Sequence, residues 1–212
     1  MIRKILTIAG SDSGGGSGIQ ADIKTILSLG GYGMSVVTAL TAQNTLGVQS
    51  VIPVDPAFVA LQMDSVLSDI GADCVKIGML AKAQIAEAVA DGIAKYGIQK
   101  VVVDPVMAAT NGTPLLDEDG RNALIKRVFP LTYLLTPNIH EAEILTGSKI
   151  TGVPEMKKAA KKIQKMGPKF VKSRHSYVRQ RRQCERWRKR VTRSSRVAQS
   201  AQEHHRCSRP VR

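Results

Sequence analysis

The stretch that decides the fold runs from residue 5 to residue 22 and has the sequence ILTIAGSDSGGGSGIQAD. Its first five residues form a short apolar run, which predicts a buried strand. The glycines and serines that follow predict a tight connection, and a helical pattern begins near Ser17. A strand that leads through a glycine-rich turn into a helix is typical of an α/β domain.

The same alternation of strand and helix continues to residue 166. Short apolar runs predict strands at residues 34–41, 74–77, 100–103 and 133–136. Helical patterns lie at residues 17–29, 56–68, 82–96, 119–128, 138–146 and 154–166. In the helix at 56–68 we expect Phe58, Leu61 and Val66 to face the core, with Met63 as a further candidate. The pattern predicts an α/β fold whose sheet is mostly parallel and has helices on both faces.

The composition of the chain changes abruptly near residue 170. Residues 1–170 carry 17 Lys and Arg against 15 Asp and Glu, whereas residues 171–212 carry 14 against 2. All 18 glycines lie at or before Gly167, and residues 171–212 contain no Leu, Ile, Met or Phe. We therefore predict a folded domain at 1–170 and a basic, disordered tail at 171–212, which cannot bury enough apolar area to fold. A solvated extension and a shift of reading frame both explain such a tail, and the simultaneous changes favour the shift.

Composition also narrows the class of protein. No run of eighteen apolar residues occurs, so we expect no membrane span, and the N-terminus lacks the apolar segment of a signal peptide. Cys74, Cys184 and Cys207 show no spacing typical of disulfides or zinc sites. We expect a cytoplasmic protein. The net charge of +14 describes the tail rather than the domain, so it does not by itself indicate a nucleic-acid partner.

Polar residues follow several of the predicted strands, at the edge where α/β sheets bind ligands. The segment 10–22 is not a Walker loop, because no Lys-Ser or Lys-Thr follows its glycines, and Ile19 stands where a dinucleotide-binding loop has its third glycine. Its glycines would let the backbone approach a ligand, and Asp22 could point back at that ligand. A flexible connector is the alternative.

Three further positions are candidates on chemical grounds. Gln43 carries an amide that can both donate to and accept from the edge of a heteroaromatic ring, and Met79 could cover the face of such a ring. Asp104 follows a strand and could hold Mg²⁺ or orient phosphate oxygens. A solvated glutamine, a core methionine and a turn aspartate before proline are the alternatives.

The segment Asn138–Glu141 has two compatible interpretations. Asn followed three residues later by Glu is close to a capping box at a helix start. A helix N-terminus also favours phosphate, and Glu141 could hold Mg²⁺ through water.

The order and spacing of these segments resemble a known family. Residues 6–22, 38–44, 76–80, 104–107 and 136–142 together resemble the hydroxymethylpyrimidine/phosphomethylpyrimidine kinases of thiamine biosynthesis, over residues 1 to about 170. That family has the ribokinase-like fold. The resemblance implies transfer of the γ-phosphate of ATP to 4-amino-5-hydroxymethyl-2-methylpyrimidine and then to its monophosphate.

The resemblance also implies roles for individual residues. The pyrimidine would be surrounded by Gly10, Asp22, Gln43, Met79 and Val106. Mg²⁺ and phosphate would be served by Asp104, Asn138 and Glu141. The implied partners are the pyrimidine, ATP and a second copy in a homodimer. Pyridoxine kinase is a close alternative, although the Ala-Gln-Asn at 42–44 favours the thiamine branch.

The chain departs from the family after residue 170. The family continues with a Lys-Gly-Gly segment and later a Gly-Thr-Gly-Cys anion hole that carries the catalytic base, and neither occurs in this sequence. The resemblance therefore implies that the C-terminal part of the fold is missing, identifies no catalytic residue, and predicts little or no activity. A non-catalytic protein whose tail contacts nucleic acid is a weaker alternative, because only Tyr177 and Trp187 in the tail could stack on bases.

Overall fold

The structure is a computed structural model that describes residues 2–108 and 114–173. The chain divides into two units between residues 174 and 175, and all of the described residues lie in the first unit. Except for residues 171–173, the predicted basic tail therefore lies outside the described residues. In the part that is described, no helix is long and apolar enough to cross a membrane.

Seven strands of the described residues form one sheet in the order β3-β2-β1-β4-β5-β6-β7. The strands are β1 (Lys4–Asp12), β2 (Tyr32–Asn44), β3 (Gly47–Pro53), β4 (Cys74–Ile77), β5 (Val101–Val103), β6 (Leu134–Leu135) and β7 (Phe170–Val171). Every neighbouring pair is parallel except β2 with β3. The predicted mostly parallel sheet is confirmed.

Six α-helices connect the strands within the described residues. They are α1 (Gly18–Ser28), α2 (Pro56–Asp69), α3 (Ala83–Lys95), α4 (Glu118–Ala123), α5 (Ile139–Thr146) and α6 (Val153–Gln164). After α4 the chain continues through a π-helical turn (Leu124–Val128) and a 3₁₀ turn (Phe129–Leu131). The helix predicted at 119–128 is therefore only partly α-helical.

The helices cover both faces of the sheet, as predicted. Side chains alternate between the two faces along a strand. Thr7 of β1 faces α1, where its hydroxyl donates to the carboxylate of Asp22 at 2.6 Å. Its neighbours Leu6 and Ile8 face the other way and pack in the main core, which includes Val59 of α2.

The apolar face of α2 differs from the predicted one. Val59, Met63 and Leu67 are buried at intervals of four residues, whereas Phe58 and Leu61 are 56% and 59% exposed. The prediction was wrong for Phe58 and Leu61, because apolar residues lie on more than one face of this helix. Packing against the sheet and α3, rather than periodicity, selects the buried face.

Two strands were not predicted. The antiparallel strand β3 has the sequence GVQSVIP, lies at the edge of the sheet and ends in proline, a residue that sheets confine to such positions. The last strand, β7, pairs with β6, and the N–H of Lys172 donates to the carbonyl of Leu135 at 2.9 Å. The parallel pairing therefore continues past residue 170, where the composition changes.

Candidate functional site

Parallel strands bring the predicted site residues to one edge of the sheet. Gly10 and Gln43 lie near the carboxyl ends of β1 and β2, and Met79, Asp104 and Asn138 follow β4, β5 and β6. Because these five strands run in the same direction, their carboxyl ends share one edge. The remaining predicted residues lie on the segments that leave this edge, namely Asp22, Val106 and Glu141.

A single carboxylate folds the glycine-rich loop between β1 and α1. Asp12 is 5% exposed, and its Oδ1 accepts from the N–H of Gly14 at 2.8 Å. Its Oδ2 accepts from the N–H groups of Gly16 and Ser17 at 2.9 and 2.8 Å and from the Ser17 hydroxyl at 3.0 Å. The loop is thus a hydrogen-bonded turn and not an open connector.

These contacts also determine the charge of Asp12. Burial by itself raises the pKa of this carboxyl, but the hydrogen bonds from Gly14, Ser17 and Gly16 outweigh it, so the pKa lies below the ordinary value of 3.8. Asp12 is therefore a fixed negative charge at the end of β1. Asp12 was not among the residues predicted from the sequence, although it stands four and five residues before two donors of the turn.

Two glycines allow the loop to close against the strand ends. Gly18 has φ +57°, and a Cβ at this position would lie 2.2 Å from the carbonyl oxygen of Gly10. A Cβ on Gly10 would lie 2.5 Å from the Cε of Met79, so the methionine packs directly on the bare backbone. Met79 is 8% exposed, and its carbonyl accepts from the hydroxyl of Thr38 at 2.6 Å. Gly10 and Met79 therefore form a fixed apolar wall at the edge.

The amide of Gln43 is tied to the same loop. The hydroxyl of Ser13 accepts from the Gln43 N–H and donates to the Gln43 carbonyl, both at 2.8 Å. The Nε2 of Gln43 donates to the Ser17 hydroxyl at 3.1 Å, and its Oε1 accepts from Thr41 at 3.2 Å. Since an amide has two N–H groups and two lone pairs on oxygen, Gln43 keeps one of each beyond these contacts.

Asp22 forms an ion pair with Lys76 that was not predicted from the sequence. Its Oδ2 accepts from the Thr7 hydroxyl at 2.6 Å and from the Lys76 ammonium at 2.7 Å. The two side chains of the ion pair are 22% and 27% exposed. The Lys76 Nζ lies 3.0 Å from where a Cβ on Gly78 would stand, so the pair reaches the end of β4. The signal in the sequence is a lysine inside an otherwise apolar strand.

The polar residues after β5 and β6 form the other part of the edge. The N–H of Asp104 donates to the carbonyl of Ile77 at 2.9 Å, and that of Val106 donates to the carbonyl of Asp104 at 2.8 Å. Asp104 is half-buried, and Glu141 is 5% exposed. The capping box is confirmed, since Asn138 and Glu141 exchange side-chain to backbone hydrogen bonds of 2.8 Å in both directions.

The site therefore has two parts along one edge. Around the ends of β1, β2 and β4, Met79 packs on Gly10 and Gln43 is tied to the glycine-rich loop that meets Gly10, whereas Asp22 on α1 contacts Thr7 of β1 and Lys76 of β4. Asp104 and the α5 start lie at β5 and β6. Within residues 2–108 and 114–173, no group of three or more His, Cys, Asp or Glu side chains gathers into a metal site.

The fold and this edge define a class of protein. Its mostly parallel sheet with helices on both faces is the ribokinase-like fold, which solved kinase structures share. Within that class, the chain belongs to the phosphomethylpyrimidine kinase family, whose family model matches residues 12–205.

Individual relatives agree with this family. The chain is 50% identical over 170 residues to the hydroxymethylpyrimidine/phosphomethylpyrimidine kinase of Bacillus subtilis, which covers 80% of this chain and 63% of that protein. It is 53% identical over 167 residues to the thiamine biosynthesis bifunctional protein ThiED of Geobacter sulfurreducens, covering 79% of this chain and 34% of that protein. The chain thus spans less than two thirds of the length of these relatives.

Solved structures of two kinases are similar to this chain. The crystal structure of phosphomethylpyrimidine kinase from Clostridium difficile 630 has a TM-score of 0.78 and 46% identity, covering 84% of this chain and 76% of that chain. The ADP complex of Bacillus subtilis pyridoxal kinase has a TM-score of 0.75 and 36% identity, covering 83% of this chain and 66% of that chain.

Proposed function

We propose that this chain carries the pyrimidine site of a hydroxymethylpyrimidine/phosphomethylpyrimidine kinase. The ligands are 4-amino-5-hydroxymethyl-2-methylpyrimidine and its monophosphate, and the reaction of the family is transfer of the ATP γ-phosphoryl group to them. The observation that carries the proposal is the glycine-rich loop, which holds the amide of Gln43 through Ser17 and meets Gly10 at Gly18, while Met79 packs on the bare backbone of Gly10. We propose that Gly10 and Met79 face the ring and that the remaining donor and acceptor of the Gln43 amide meet its edge.

The chemistry of an aminopyrimidine matches this surface. Its ring nitrogen accepts and its amino group donates, which is the complement of the amide of Gln43. The thioether of Met79 is polarizable and suits the face of an aromatic ring. The carboxylate of Asp22, held by Lys76, provides a further acceptor for an amino or hydroxyl group. We propose that Val106 closes the ring site from the side of β5.

The residues after β5 and β6 fit the phosphate end of the reaction. MgATP supplies the phosphoryl group and the cation that neutralises its charge. Asp104 follows β5 and Glu141 lies in the first turn of α5, which follows β6, and Mg²⁺ takes one or two carboxylates together with phosphate oxygens and waters. The capping box places Asn138 and Glu141 at the start of α5. We propose that Asp104 and Glu141 hold the ion and that Asn138 positions the phosphates.

For a chain limited to these 212 residues, we propose that turnover is very low. Its 212 residues contain no Gly-Thr-Gly-Cys segment, from which the family draws its anion hole and base. Anion-hole donors and a positioned base each contribute a factor of roughly 10² or more in rate. We therefore expect binding of the pyrimidine without efficient phosphoryl transfer.

The test combines binding and turnover on the purified chain. Isothermal titration with hydroxymethylpyrimidine should give saturable binding, and an ADP-release assay with MgATP should stay at background. The variant Gln43→Ala should bind at least about tenfold more weakly because an oriented hydrogen-bond partner is lost. The matched control Gln49→Ala removes an exposed amide of β3 and should bind normally.

Two outcomes would contradict the proposal separately. A folded chain that does not bind the pyrimidine would remove the substrate assignment. Turnover of about 1–100 s⁻¹, which is typical of kinases, would remove the claim of low activity.

Pyridoxal is the second candidate ligand, because pyridoxal kinase of Bacillus subtilis has a similar fold. We expect weaker binding of pyridoxal than of hydroxymethylpyrimidine, since 42–44 is Ala-Gln-Asn as in the thiamine branch. Competition between the two ligands in the same titration decides between them.

The family resemblance also supports a cytoplasmic location, where ATP is available, and a homodimer. Cell fractionation and sedimentation equilibrium of the purified chain test these two proposals.

A further inference from the structure

The backbone N–H groups of the glycine-rich loop point at one carboxylate. The N–H groups of Gly14, Gly16 and Ser17 all donate to Asp12, at 2.8 to 2.9 Å. Loops of this kind before a helix commonly direct such N–H groups at a bound phosphate. Here the chain's own carboxylate occupies that position, and it is almost completely buried.

Asp12 also binds the side chain at the start of α1. Ser17 is the N-cap residue of α1, but its side chain makes no cap hydrogen bond to the helix. Its hydroxyl donates to Asp12 instead, at 3.0 Å. A negative charge at this position is favourable, because the N-terminus of a helix carries partial positive charge. Asp12 therefore stabilises the loop and the first turn of α1 together.

The carboxylate is connected to the proposed ring site through one hydroxyl. The Nε2 of Gln43 donates to the Ser17 Oγ at 3.1 Å, and that same Oγ donates to Asp12. Ser13, in the loop, bridges the backbone N–H and carbonyl of Gln43. The orientation of the amide therefore depends on the loop that Asp12 folds.

We propose that Asp12 is a positioning residue that fills the anion position of the glycine-rich loop and, through Ser17, orients the amide of Gln43. The loop then serves as a wall of the ring site and does not receive phosphate, which is left to the residues after β5 and β6. The identity of the ligand that Gln43 contacts rests on the proposed function. The position of the Asp12 carboxylate inside the loop is independent of it.

The first experiment is chemical rescue of the variant Asp12→Ala, followed by thermal unfolding in chloride, formate and sulfate. Removing the carboxylate should lower the Tm, and formate should raise it again in a saturable manner, by about 2–4 °C. The wild-type protein should show no such shift. The variant Asp12→Asn should be destabilised without rescue, because its amide fills the space and offers N–H groups to other donors.

The variant Asp55→Ala is the matched control. Asp55 also accepts two backbone N–H groups at a helix start, from Ala57 and Phe58, but it is exposed. Its loss should lower the Tm without saturable rescue by formate, and should not change pyrimidine binding. Equal rescue of both variants would show that formate acts generally and would overturn the assignment to Asp12.

The second measurement does not require any variant to fold. In ¹⁵N spectra of the wild-type protein, the amide signals of Gly14, Gly16 and Ser17 should not move on titration with inorganic phosphate. A saturable shift of these signals would show that the loop binds phosphate and would overturn the proposal.

Binding of hydroxymethylpyrimidine tests the connection to Gln43. The variant Asp12→Ala should bind about tenfold more weakly, and formate should restore the affinity together with the Tm. Restored folding without restored binding would contradict the role in orienting Gln43. If the wild-type protein does not bind the pyrimidine, the proposed function fails, whereas the rescue and the phosphate titration still decide whether Asp12 fills the loop.

Discussion

Replacing Gly18 with alanine should destabilise the protein strongly, because two costs coincide at this residue. Its φ of +57° lies in the left-handed region, which costs an alanine about 1–2 kcal/mol. The added Cβ would also lie 2.2 Å from the carbonyl oxygen of Gly10. Relief of that clash requires a backbone shift, for which overpacking in cores gives about 1–3 kcal/mol. The expected total is about 2–5 kcal/mol.

Gly30→Ala separates the two costs. Gly30 has φ +77°, but nothing lies within 4 Å of its added Cβ, so only the conformational cost of about 1–2 kcal/mol applies. Urea unfolding followed by circular dichroism measures both variants against the wild-type protein. Gly18→Ala should lose the larger free energy of unfolding and should also lose pyrimidine binding, whereas Gly30→Ala should still bind. Equal losses in the two variants would refute the close approach of the loop to β1.

Three further predictions concern the core, the ion pair and the buried carboxylate. Met63→Ala should lower the free energy of unfolding in urea by about 2–5 kcal/mol, because Met63 is fully buried. Phe58→Ala should lower it by well under that amount. The reverse order would show that Phe58 faces the core, as the sequence predicted. Lys76→Met should lower the free energy of unfolding by about 1–3 kcal/mol and weaken pyrimidine binding, since Asp22 loses its partner at 2.7 Å. Unchanged stability and affinity would argue against a role for this ion pair. The folded-state pKa of Asp12 is lowered, so its contribution to stability should be full above about pH 4 and be lost as the pH falls through the folded-state pKa. The difference in unfolding free energy between wild type and Asp12→Asn should therefore be constant from about pH 5 to 8 and shrink in more acidic solution. A difference that grew in acid would contradict a lowered pKa.

Much of the sheet could be predicted because helices cover both of its faces and its central strands are short apolar runs. Continuous apolar runs such as 101–103 need no tertiary information to be recognised as strands, and a strand followed by a helix places its carboxyl end at the ligand edge. Five of the eight predicted site residues accordingly lie at one edge, and Asp22, Val106 and Glu141 lie on the segments that leave it. The edge strand β3 could not be predicted in this way, since it is half-exposed and has no buried face to produce a pattern.

The residues that the sequence predicted wrongly or missed share one physical cause. Their environments are determined by tertiary contacts, which the local sequence pattern does not contain. In α2, Phe58 and Val59 are both apolar, and only packing decides that Val59 is buried. Asp12 and Ser17 are separated by four residues, and their hydrogen bonds depend on a turn that the sequence indicates only through its glycines. Lys76 meets Asp22 across 54 positions of the chain, so the lysine is conspicuous inside its apolar strand but its partner is determined only by the tertiary fold.

The most direct test of the account is a methyl NMR titration of the chain labelled at methionine. Met79 packs on Gly10 at the proposed ring site, whereas Met63 is fully buried between α2 and α3. Hydroxymethylpyrimidine should shift the Met79 methyl signal in a saturable manner and leave the Met63 signal in place. Saturable binding that leaves the Met79 signal unmoved would contradict a pyrimidine site at this edge of the sheet.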